Sequence, residues 1–145
     1  MVRTFLDTAV LIEAFRGQQP LREAALTIIQ DPARLFIASD FLYLELMPKP
    51  TYFRNQPELE FLREYFNTRT SLWVTDVAEM TKVARNEAER CGLAAMDALH
   101  LAAAYLAGAG ELLTIEKRGK AIHRSSLVRV AYVKTTGSAP ARDRA

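Results

Sequence analysis

Apolar residues in this chain follow two rhythms. Thr4-Phe5-Leu6, Leu35-Phe36-Ile37-Ala38, Leu72-Trp73-Val74 and Leu112-Leu113-Thr114-Ile115 are short unbroken runs, the pattern of strands buried on both faces. Residues 128–133 (VRVAYV) partly alternate and supply a fifth candidate strand. Between these runs the apolar positions fall at helical spacing. The first such stretch, 9–15, stops at Gly17, and the second carries Leu21, Ala25, Ile28 and Ile29. Ser39 reads as the N-cap of a third helix that bears Glu45 and is broken by Pro48 and Pro50. A fourth runs from Pro57 with Leu59, Leu62, Tyr65 and Phe66 on one side. Val77, Met80, Ala84, Ala88 and Cys91 mark the next, which Gly92 ends as a left-handed terminator would. A last helix starts near Asp97 and buries Ala98, Leu101, Ala102 and Tyr105. Strands separated by helices predict an α/β fold with a parallel sheet covered on both faces.

Composition adds limits rather than detail. With 145 residues, half of them hydrophobic and a quarter charged, the chain can support one core, and disorder is excluded as its general state. One domain over 1–134 is expected, followed by a flexible tail, 135–145, that lacks core-forming residues. A single cysteine, Cys91, excludes an internal disulfide framework and a multi-cysteine zinc site. Asp7 interrupts the opening apolar run, which reads against a secretory signal. The most apolar window, 93–110, holds Asp97 and His100 and is unsuited to a bilayer. A cytoplasmic protein with no membrane contact is the expectation. Met80, Met96 and Trp73 are expected in the core.

Charge changes the picture more. Residues 1–116 carry a net −5, whereas residues 117–145 carry +7. Such asymmetry points to a polyanion or an acidic protein as partner, with a solvated basic tail as the plain alternative.

In open parallel sheets, ligands bind beyond the carboxyl ends of the strands. Asp7 directly follows the first strand and Glu116 the fourth; Glu45 lies about two turns into the helix after the second. Asp97 opens the helix before the fourth strand. Four acids from distant positions can thus meet at one edge of the sheet. Such a cluster repels itself unless a cation compensates it, which points to hard divalent ions and to phosphodiester chemistry. Three of these acids also have a plainer role: Asp97 as a helix-start residue, Glu45 facing water, Glu116 pairing with Lys117 or Arg118. For Asp7, set in an apolar run, the functional reading leads.

These residues carry a resemblance. The segments FLDTAVLIEAF (5–15), IASDFLYLEL (37–46), GLAAMDALHLAAA (92–104) and ELLTIEKR (111–118) resemble, in order and spacing, the PIN-domain family of metal-dependent ribonucleases, which includes the VapC-type toxins. The resemblance implies an α/β/α sandwich around a mostly parallel five-stranded sheet. It implies Mg²⁺ or Mn²⁺ held by Asp7 and Asp97, with Glu45 assisting and Glu116 an outer ligand, and hydrolysis of RNA. It also implies a small antitoxin protein as partner, and a homodimer is compatible with it. Basic residues near the carboxyl end would hold RNA phosphates. Two positions depart from the family's pattern. Ala9 stands where Ser, Thr or Asn is common, with Thr8 beside it as a partial substitute, and Glu116 stands where Asp is usual. Those departures motivate the alternative of a non-catalytic RNA- or protein-binding module with a degenerate metal site. His100 is expected to be packed or supporting rather than a ligand, and His123 carries little signal.

Overall fold

A computed structural model describes residues 1–135; the rest of the expected tail, 136–145, lies outside the described residues. Five strands form one sheet: β1 (Val2–Leu6), β2 (Arg34–Ser39), β3 (Thr70–Val74), β4 (Glu111–Thr114) and β5 (Val130–Tyr132). Their order is β3-β2-β1-β4-β5 and every pairing is parallel. The strand order reverses at β1. The chain steps outward through β2 and β3, then returns across the sheet to place β4 on the other side of β1. Because parallel crossovers are right-handed, the outward and returning connections cover opposite faces.

The outward connections are α1 (Thr8–Arg16), α2 (Leu21–Ile29), α3 (Asp40–Leu46), α4 (Pro48–Tyr52) and α5 (Gln56–Glu64), the last running into a π-helical turn at Tyr65–Arg69. The returning pair is α6 (Val77–Cys91) and α7 (Ala95–Leu106), which pack on each other, with α7 against β1, β2 and β4. Phe5, Leu6, Phe36, Ile37, Leu101 and Leu112 are wholly buried between the layers. Among the described residues no helix is long and apolar enough to cross a membrane.

Local chemistry sets the boundaries. Ser39 caps α3, its hydroxyl accepting from the Leu42 amide, and Gly92 closes α6 in the left-handed region at φ 69°, as the sequence predicts. Three expectations change. Pro48 and Pro50 do not simply end a helix: Pro48 opens α4, where the first turn needs no amide donors. Tyr105 is 48% exposed, because it stands in the final turn of α7 beside exposed Leu106. Trp73 is 37% exposed on the edge strand β3, where its indole N–H donates to Asp40 at 2.9 Å. Met80 is fully buried and Met96 half-buried.

Candidate active site at the switch point

The place where strand order reverses, between β1 and β4, is where an open α/β sheet leaves a crevice at the strands' carboxyl ends. Asp7 occupies it. Its backbone is extended and continues the ladder, with its amide donating to the Leu113 carbonyl at 3.0 Å. Its side chain caps α1. Oδ1 accepts from the Thr8 amide at 2.8 Å, and Oδ2 accepts from the Thr114 hydroxyl at 3.0 Å. Thr114, fully buried at the end of β4, also accepts from the Glu116 amide at 3.0 Å. One hydroxyl therefore ties the first acid to the turn that carries the last.

Glu45 arrives from α3. Its Oε1 accepts from the Thr8 hydroxyl at 2.5 Å and lies 2.6 Å from His100 Nε2. His100 sits one turn beyond Asp97 on α7 and is 1% exposed. The other ring nitrogen of His100, Nδ1, is buried and has no hydrogen-bond partner among the described residues. His100 is thus packed in the interior and hydrogen-bonded to Glu45. Thr8, the neighbour of Ala9, has its hydroxyl directed to Glu45.

Asp97 lies in the first turn of α7, which begins two residues earlier at Ala95. Glu116 is exposed just beyond β4, and its backbone carbonyl accepts from His123 Nε2 at 2.7 Å. His123 is a contact that sequence reasoning missed. It comes from a 3₁₀ turn, Ala121–Arg124, whose only pattern is basic.

The electrostatics divide the four acids. Burial lifts the Asp7 carboxyl above its usual range; His100, Thr114 and Thr8 offset part of that, and Glu45 adds to it. Asp97 is lifted too, first by burial and then by the charge of Asp7, with Glu116 and Glu45 adding and His100 opposing. Asp97 is therefore within electrostatic reach of each of the other three acids. Glu45 moves the other way, held low chiefly by the His100 hydrogen bond, with burial opposing and Thr8 assisting. The crevice thus offers carboxylate oxygens whose charge is only partly compensated, which suits a hard cation in charge and ligand type. Among the described residues no three acidic, His or Cys side chains stand grouped as a metal cage.

The His100 contact makes a direct forecast. His100→Leu should return the Glu45 carboxyl toward its ordinary value, read by carboxyl-carbon NMR titration, whereas His100→Gln, which keeps a donor, should hold it lower. An unmoved titration in the Leu variant would assign the effect to Thr8 alone.

The sequence pattern of the PIN domain matches residues 4–124. The chain belongs to the PIN-domain family. No curated protein matches it in sequence. Solved structures share its fold. A chain from VapBC2 of Rickettsia felis, bound to a DNA fragment from their promoter, superposes with a TM-score of 0.65 at 17% identity, covering 91% of this chain and 99% of that one. A chain of a toxin–antitoxin complex from Klebsiella pneumoniae gives 0.64 at 19%, covering 92% and 99%. FitAcB from Neisseria gonorrhoeae gives 0.56 at 20%, covering 88% and 95%. The PIN fold expected from the sequence is therefore established, and its sheet is wholly parallel.

Proposed function

We propose that this PIN domain is a divalent-metal-dependent endoribonuclease and the toxin of a toxin–antitoxin pair. One observation carries the catalytic part: Asp7 and Asp97, brought together from β1 and α7, are both held in a setting that disfavours their charge. A protein keeps such a pair at a switch-point crevice at a cost in stability, and a cation removes that cost. Mg²⁺ or Mn²⁺, when bound, supplies charge for a developing phosphoryl oxyanion and activates water. The chain's own groups do the positioning. Asp7 and Asp97 would hold the ion, and Thr114 fixes the Asp7 rotamer through Oδ2. Glu45, with Oε1 occupied by Thr8 and His100, has Oε2 left to offer. Glu116, exposed and longer-armed than the family's usual Asp, would assist from outside.

The antitoxin rests on the fold's company, since the Rickettsia felis and Klebsiella pneumoniae neighbours come from such complexes. Purified full-length protein should cut labelled single-stranded RNA with Mn²⁺ or Mg²⁺, stop with chelator, and lose cutting in Asp7→Asn. Cleavage that survives both treatments would refute the nuclease reading. Expression alone should arrest growth, and co-expression with the neighbouring upstream reading frame should relieve it. Harmless high-level expression without a co-purifying small protein would refute the toxin reading and leave the nuclease reading standing.

A further inference from the structure

Beside the acids lies a second concavity that the reaction does not use. It has a volume of about 450 Å³ and is lined by Arg118, His123, Arg129, Tyr132 and Lys134 with Val130 and Ala131 of β5. Between residues 117 and 135 the sequence has six Lys or Arg and no acid. Two of those cations are engaged. Arg124 donates to the Cys91 carbonyl at 2.9 Å, and Arg129 reaches Glu111 only at 3.4 Å while its side chain stays 70% exposed. Arg118 and Lys134 are exposed and have no ion-pair or hydrogen-bond partner among the described residues. The cleft is therefore a positive concavity whose charge is not balanced among the described residues.

Its position is fixed relative to the acids. Tyr132 pairs in register with Thr114, the residue that hydrogen-bonds Asp7. The ladder continues past the strand, Val133 N–H donating to the Thr114 carbonyl at 2.9 Å. Neighbouring strands lie about 4.8 Å apart, so the cleft begins one strand spacing from the acid cluster. His123 joins the two, lining the cleft while its Nε2 donates to the Glu116 carbonyl.

We propose that this cleft is the binding track for the single-stranded RNA flanking the scissile phosphate: Arg118, Arg129 and Lys134 take successive backbone phosphates, and Tyr132, 39% exposed, offers a ring face to one base. The proposal rests on the nuclease reading and adds where its substrate lies. Unpaired cations with one aromatic beside a groove are the means by which single strands are held without sequence readout. A protein partner would call for an apolar centre to the patch, and here the apolar share is limited to Val130 and Ala131.

The test separates binding from cleavage. Full-length Asp7→Asn protein in chelator is titrated with a fluorescein-labelled oligouridylate, and affinity is followed by anisotropy against salt. Adding Arg118→Ala and Lys134→Ala together should weaken binding on the order of tenfold and lower the log–log salt slope by about 1.4, roughly 0.7 for each single-strand phosphate left without its cation. Lys82→Ala on α6, which removes one charge elsewhere, should change neither. An unaltered slope in the double variant overturns the track. So does a double variant that keeps RNA affinity but no longer retains a co-purifying protein, which would make the cleft a protein interface. In either case metal-dependent cutting by the wild type, measured in parallel, keeps the nuclease reading intact. Wild-type protein that neither cuts nor retains RNA at low salt ends both.

Discussion

Asp97→Asn should abolish metal-dependent RNA cleavage and raise the melting temperature of the same protein. The two effects share one cause. Asp97 is lifted from its ordinary value of 3.8 by burial and by the charges of Asp7, Glu116 and Glu45. A carboxyl whose folded-state pKa exceeds its unfolded value binds protons more tightly when folded, so its contribution to stability falls as pH rises from about that ordinary value through the raised one. At neutral pH the whole penalty is present. Asn removes it, and a few degrees of added melting temperature is the expected reading by calorimetry. The same substitution takes a charged oxygen from the ion site, for which a loss of about a thousandfold in cleavage is expected, since charge supplied by a metal is worth several kcal/mol in the transition state. Glu116→Gln should leave a measurable fraction, because Glu116 is exposed and at the rim. A destabilised Asp97→Asn, or a Glu116→Gln that is the deader of the two, would show that the charge balance of the site has been assigned to the wrong acid. Mn²⁺ should raise the melting temperature of the wild type and leave that of Asp97→Asn nearly unmoved, because a ligand stabilises only the state that binds it.

Thr114→Val carries the second large effect. Valine matches threonine in shape, so the core keeps its packing, yet two hydrogen bonds vanish together. Asp7 Oδ2 loses its donor and the Glu116 amide loses its acceptor. A buried polar group left without a partner costs about 1–3 kcal/mol, more when it is charged. The loss should also depend on pH in a particular direction. Without the Thr114 hydroxyl, which lowers it, the already raised carboxyl of Asp7 rises further. The variant should therefore lie furthest below the wild type at neutral pH, where Asp7 is ionised, and come closer in acid, where it is protonated in both proteins. Urea denaturation at the two conditions reads this out. Thr114→Ser should restore most of the difference, and a deficit independent of pH would show that packing rather than the carboxylate carries the cost.

Much of this arrangement is legible in the sequence because it is written locally. Ser39 and Gly92 mark helix ends through side-chain and backbone preferences that act within a few residues. Asp7 stands out because a charge directly after an apolar run has few structural uses. The contacts that define the site's behaviour have no such local signature. Thr8 reaches Glu45 across 37 positions and His100 reaches it across 55, so neither residue looks unusual among its sequence neighbours. Pro48 reads as a breaker although it opens a helix, because the residue type does not say which end of a turn it occupies. Trp73 reads as core because strand runs look alike at the edge and at the centre of a sheet. Only the strand order reveals that β3 has a neighbour on one side.

The placement of β1 has a consequence in time. This strand is made before the other four and sits in the middle of the sheet, between β2 and β4. Its first neighbour, β2, follows soon after, but the hydroxyl that orients Asp7 comes 107 positions later. At synthesis rates of about 5–20 residues per second, a nascent chain spends seconds with β1, β2 and β3 in being and with neither Asp97 nor Thr114 yet made. Throughout that interval the acids cannot assemble. Under the proposed nuclease activity the chain would thus be translated while inert, and would acquire its competence only after the ribosome had read the codons of α7 and β4.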